Sequence, residues 1–353
     1  MISKLRNKSS SFFVKIFSAR ALQALWGTLI LLLFTTSMAS GTPRTHIYRT
    51  ISTVNPRPMA MGGAFVSVND DLASLLWNPA AFSLYETEVT NQLSAHFNPI
   101  IPLVLLYEDH RNVADFLTAL GASVKAITFS HRWAEMGLLL WEEPFYNPTA
   151  SGHGRFFNAD RTLKHTMHTL GLRARLATTV SLGCSGNLYR IRNERGKVVL
   201  AGALNYGALL KPARGLVVGL AYFDFPSPLA DLRWELEGLR DESINGSISF
   251  HPDDRTIVAM DVRDVSGGER INWNRLRFGF ERTFWERIAL RFGYFQVSRQ
   301  EHKVYSFGLG LMGRGLGAIP YNHKSYLANY ALLVEENEGQ QRLWHLLCVQ
   351  LCI

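Results

Sequence analysis

Large apolar side chains recur at every second position through most of this chain, a period that suits a pleated strand and excludes an α-helix. Leu276, Phe278 and Phe280 alternate with Arg275, Arg277, Gly279 and Glu281. Ile288, Leu290, Phe292 and Tyr294 alternate with Ala289, Arg291 and Gly293. Tyr305, Phe307, Leu309 and Leu311 alternate with Ser306, Gly308 and Gly310, and Leu216, Val218, Leu220 and Tyr222 with Val217, Gly219 and Ala221. One face of each segment is therefore large and apolar, the other Gly, Ser, Arg or Glu. A soluble sandwich would put its apolar face inward and charged residues outward. Glycine and serine instead suit a crowded, wet interior, and the apolar face suits lipid, as in a transmembrane barrel.

About fourteen such segments run from 89–97 to 342–352, most near the 9–11 residues that a tilted strand needs to cross a bilayer. Their connections alternate in length. Short links such as HPDDRT and TFWE are followed by longer polar ones such as PFYNPTASGHGRFFNADR. Short turns on one side and long loops on the other are expected of an outer-membrane barrel, with both termini on the short-turn, periplasmic side. The link GRGLGAIPYNHKS (313–325) should be short on this scheme and is long. The expected fold is all-β: a transmembrane antiparallel β-barrel of about 14 strands.

Composition refines this reading. The net charge is +8, but Lys4, Arg6, Lys8, Lys15 and Arg20 supply five of those charges near the N-terminus. The remaining +3 is an ordinary surface balance and points to no nucleic-acid partner. A basic stretch ending at Arg20, the apolar run ALQALWGTLILLLF (Ala21 to Phe34) and Ser37-Met38-Ala39 read as a secretory signal over residues 1–39. Three cysteines, Cys184, Cys348 and Cys352, make no disulfide framework. Cys348 and Cys352 lie ~13 Å apart on an extended strand, too far to bond.

Between this leader and the first segment lies RPMAMGGAFVSVNDDLASLLWNPAAF (Arg57 to Phe82). It lacks the GxxxxGK[ST] or GxGxxG spacing of a phosphate loop. Gly62-Gly63 permits a tight turn. Asn69 or Asp70 is positioned to cap a helix carrying Leu72, Leu75 and Leu76, and Pro79 ends that helix at Asn78. In order and identity, Arg57, Met59, Met61, Gly62, Gly63, Ala64, Phe65, Val66, Asp70, Asp71, Ala73, Ser74, Trp77, Asn78 and Pro79 resemble a signature of bacterial outer-membrane proteins. Those proteins are related to the long-chain fatty-acid transporter FadL, and the match is nearest to the PorV-type subgroup. The resemblance implies that residues 40–88 form a short helical hatch inside the lumen of a barrel spanning 89–353. It also implies a location in the bacterial outer membrane, in contact with its lipid.

Catalytic and metal chemistry finds little support. Gly183-Cys184-Ser185-Gly186 has Asn187 where a nucleophile elbow needs glycine. On a strand His345 points away from both Cys348 and Cys352, so no metal site is expected there. No cofactor and no enzymatic activity are expected. Alternation places Arg173, Arg175, Arg275, Arg277 and Arg291 on the lumen face, with Asp261 and Glu281. These arginines could attract the carboxylate of an amphipathic ligand, or pair with Asp261, Glu281, Asp70 and Asp71 to hold the hatch. The second arrangement is favoured.

The expected function is passive uptake of a hydrophobic or amphipathic, fatty-acid-like small molecule through a plugged barrel. The PorV branch of the resemblance implies a different role, a docking barrel for secreted or secretion-system proteins without transport.

Overall fold

The computed structural model describes residues 45–47, 56–83, 91–102, 117, 120–142, 165–192, 198–223, 227–228, 243–263, 265, 276–285, 287–297, 302–312, 326–337 and 340–352. Residues 1–44, where the secretory signal is expected, Arg275 and the long link 313–325 lie outside the described residues.

The elements begin with a short strand β1 (Thr45–Ile47), helix α1 (Pro56–Ala60), helix α2 (Ser74–Trp77) and a 3-10 turn (Pro79–Ala81). The strands that follow are β2 (Gln92–Phe97), β3 (Val124–Ser130), β4 (Ala134–Glu142), β5 (His165–Ala177), β6 (Val180–Arg192), β7 (Val198–Ala213) and β8 (Leu216–Phe223). After β9 (Ser227–Pro228) come β10 (Ser243–Asp253), β11 (Thr256–Val262), β12 (Leu276–Phe284), β13 (Ile288–Val297), β14 (His302–Met312), β15 (Tyr326–Asn337), β16 (Gln340–Val349) and β17 (Leu351–Cys352).

Each strand from β2 to β8 pairs antiparallel with the next, β8 pairs with β10, and the series continues to β16. The ring closes through β17, which prolongs β16 and pairs with β2 at Leu351↔Phe97 and Cys352↔His96. The result is a barrel of fourteen antiparallel strands, β2–β8 and β10–β16. Strand β2 ends at Phe97, and the Asn98 side chain then accepts the Ile100 amide at 3.0 Å. Higher on the edge of β16, β1 runs parallel, with Thr45↔Leu343 and Ile47↔His345.

Alternation sorts the side chains as expected. Phe278 (37%), Phe292 (47%) and Phe307 (43%) are exposed on the outer face, while Glu281, Arg291 and Ser306 are buried inside. Exposed Leu93, Leu170, Leu204, Leu220 and Val258 extend this apolar surface round the barrel. Such a surface is unfavourable against water and favourable against lipid. Tight turns link β3–β4, β5–β6, β7–β8, β10–β11 and β12–β13, all at the same end.

The interior is filled by the segment 56–83. Met59, Phe65, Leu72, Leu75 and Phe82 are buried in one cluster with inward-facing wall residues. The helical part departs from expectation. Helix α2 has only four residues, and Ala73 precedes it without any side-chain cap. Asp70 does not cap it, because its carboxylate is engaged by Arg57. Asn78 does end α2, in an extended conformation before Pro79, and its side chain then accepts the amide of Ala80 to start the 3-10 turn.

Candidate functional site

The site is the contact between hatch and wall. It begins with Gly62 and Gly63, whose φ values of 62° and 69° fold the chain back at the end of α1 in a conformation that side chains disfavour. This turn presses against β12 and β13, where a Cβ on Gly62 would lie 2.6 Å from the Phe278 carbonyl oxygen.

The wall accommodates the hatch by giving up its own side chains. Eight strands turn a glycine toward it. A Cβ at Gly137 would crowd Phe82 and Leu75, and one at Gly171 would strike Leu75, at Gly183 Pro79, and at Gly207 the Asn78 side chain. At Gly219 it would lie 2.6 Å from the Val66 oxygen and at Gly279 2.6 Å from the Met61 oxygen. At Gly293 and Gly308 it would meet the backbone at Gly62 and the methyl of Ala60. Gly137, Gly183 and Gly219 each lie four residues past a short turn, so this collar sits in the short-turn half of the barrel.

Polar groups hold the hatch to the collar. Ser181 donates to the Ala80 carbonyl at 2.8 Å and Ser306 to that of Ala60 at 3.1 Å. Asp261 accepts the amides of Phe65 at 2.8 Å and Val66 at 3.0 Å, and also the Ser247 hydroxyl. Within the hatch itself, the Asn78 amide group donates to the Val66 carbonyl at 2.8 Å. These bonds satisfy backbone groups that would otherwise be buried without partners.

The charges meet at Arg57. Its Nε and Nη2 reach the two oxygens of Glu281 on β12 at 2.8 and 2.9 Å, a bidentate pair. Its Nη1 donates to Asp70 at 2.7 Å and Asp71 at 2.8 Å. Arg291 Nε shares Glu281 at 2.6 Å while its Nη1 donates to Asn329 at 2.9 Å. Burial pushes the Asp71 carboxyl upward, with Arg57 and the Ala73 amide pulling it back.

Of the acids expected to pair with wall arginines, Glu281 meets Arg291, whereas Asp70 and Asp71 bond to Arg57. The hatch supplies its own cation, and Arg57 bridges its acids to the wall acid Glu281. Arg173 pairs with buried Glu135 at 2.6 Å, and Arg175 lies 4.0 Å from the same carboxylate. Arg277 stacks over Phe295 at 5.1 Å and faces Gly63. Trp77 packs edge-on to Phe65 at 6.4 Å, with the Arg263 guanidinium 5.9 Å from its ring. Glu135 was not among the expected residues, although it was legible from the alternation of Glu135, Gly137 and Leu139 against Met136 and Leu138. The buried Lys125–Glu142 pair, 3.2 Å apart, was not legible, because register shifts in β3 and β4 break the alternation there. His345 and Cys348 face opposite sides, Cys348 inward and buried, and among the described residues no cluster could hold a metal ion.

No protein-family model matches the chain, and no curated protein matches it. Solved structures with a similar arrangement include the CymD monoaromatic hydrocarbon channel, at TM-score 0.47 and 10% identity over 86% of this chain and 97% of that one. The Ralstonia pickettii toluene transporter TbuX aligns at TM-score 0.44 and 12% identity, over 86% and 97% of the two chains. A Pseudomonas aeruginosa FadL homologue aligns at TM-score 0.38 and 12% identity, over 88% and 97%. At these scores the likenesses carry neither a site nor a ligand to this chain.

Proposed function

We propose that this chain is an outer-membrane barrel for passive uptake of hydrophobic or amphipathic small molecules. On this reading residues 1–39 are a cleaved secretory signal, 40–88 the hatch and 89–353 the barrel. The observation that supports uptake is the character of the inner wall on β13–β16. Phe295, Val304, Leu333 and Trp344 point inward there and join Met59, Phe65 and Leu72 of the hatch in one apolar cluster. A water-conducting barrel keeps its interior polar. An apolar strip between hatch and wall suits a molecule that leaves water to enter.

One observation favours the second reading, a docking barrel without transport. The glycine collar brings hatch and wall into direct contact on eight strands. A sealed interior of that kind is compatible with a partner bound only at the surface.

Purifying the protein from native membranes, extracting it with organic solvent and analysing the extract by mass spectrometry separates the two. The uptake reading expects an apolar or amphipathic molecule retained through detergent exchange, displaced when Val304→Trp fills the strip. Protein free of such a molecule, co-purifying instead with a secreted protein, would replace uptake with docking.

A further inference from the structure

The charge outside the leader is small in sum but unevenly placed. The short turn β3–β4 carries Arg132 and the turn β7–β8 carries Arg214, with Lys211 near the end of β7 on the same arc of the rim. Arg173 and Arg175 face the lumen instead, at 2.6 and 4.0 Å from the buried carboxylate of Glu135. The next arc differs. There Arg255 shares its turn with Asp253 and Asp254.

The basic arc is built rigidly. The Arg175 amide donates to the Trp133 carbonyl and the Lys211 amide to that of Thr179, both at 2.8 Å, so each turn is tied to the neighbouring strand. Apolar groups lie beside the cations. Trp133 is 51% exposed with Arg132 over its ring at 4.8 Å, and Leu176 is 62% exposed at the end of β5. Leu182 and Leu210 carry the apolar outer surface up to this rim. A tryptophan beside cations at the edge of an apolar belt matches the boundary between acyl chains and headgroups. Arginine and lysine within a Debye length of an anionic surface are drawn to it.

We infer that the arc formed by Arg132, Lys211 and Arg214 binds the phosphates of anionic phospholipid in the leaflet at the short-turn end. This rests on the membrane-spanning reading of the barrel, independently of what the lumen carries. The bound lipid would lay its chains along Leu176, Leu182 and Leu210.

The test uses full-length protein reconstituted in vesicles mixing phosphatidylethanolamine with phosphatidylglycerol. Lipid retained after gentle detergent extraction is compared with the bulk ratio. Wild type should retain phosphatidylglycerol in excess, and the excess should fall about fivefold for each cation neutralised in Arg132→Gln, Lys211→Gln and Arg214→Gln. Added salt should reduce it. The control Arg255→Gln/Arg282→Gln, on the arc carrying Asp253 and Asp254, should keep the wild-type ratio. An inserted, heat-modifiable wild type that retains lipids at the bulk ratio would overturn the inference. So would a triple variant that enriches phosphatidylglycerol as wild type does. Failure to insert into either lipid would remove the membrane reading itself, and this inference with it.

Discussion

Arg57 of the hatch and Glu281 of β12 form a two-pronged pair at 2.8 and 2.9 Å across 224 residues of sequence, both side chains buried. Arg291 and the two hatch aspartates complete the group. Removing one member of a buried ionic group leaves its partners uncompensated, at a cost of about 3–5 kcal/mol. Arg57→Met should therefore loosen the hatch while the strand ladder persists. The expected outcome is a heat-modifiable barrel with raised conductance in planar bilayers. Wild-type conductance in this variant would mean that packing alone holds the hatch.

The collar predicts a contrast between glycines. Gly219→Ala and Gly279→Ala each set a methyl 2.6 Å from a hatch carbonyl oxygen, and overpacking of this kind costs roughly 1–3 kcal/mol. Gly202→Ala meets nothing nearer than 3.9 Å and should be neutral. Limited proteolysis reads the difference, since an expelled hatch exposes its backbone to cleavage. Equal protection in all three variants would contradict a collar shaped to the hatch.

The outer surface predicts a depth-dependent penalty. Phe278 lies beside Met260 and Tyr294 on the lipid face. Phe278→Arg should cost about 2–4 kcal/mol if that position is at the bilayer midplane, measured by denaturant unfolding from vesicles. Phe278→Leu should cost far less. A penalty for arginine no larger than that for leucine would place this face outside lipid.

The proposed secretory signal over residues 1–39 predicts a processed N-terminus. Protein isolated from outer membranes should begin near Ser40 or Gly41, read by N-terminal sequencing. Retention of Met1 would make the apolar run an anchor.

Strand positions, side-chain alternation and barrel architecture follow from the sequence because a two-residue period needs only local information. Leu290 and Arg291 go to opposite faces whatever lies across the barrel. The end of α2 at Asn78 was equally local, being set by the backbone of Pro79. The ionic group was not. Alternation put Arg291 and Glu281 on the inner face, but that Arg57 joins them depends on how the hatch threads the closed barrel, and the closing register is a long-range property. The glycines carried the same ambiguity. Gly186 and Gly202 face outward while Gly183 and Gly279 touch the hatch, and only the packed interior gives the second pair its reason. The short helix shows the direction of the override: a capping role available to Asp70 in isolation lost to a buried arginine that needed its charge. Sequence determined which face each residue occupies; tertiary structure decided what each face meets, because partners brought together by barrel closure are hundreds of residues apart along the chain.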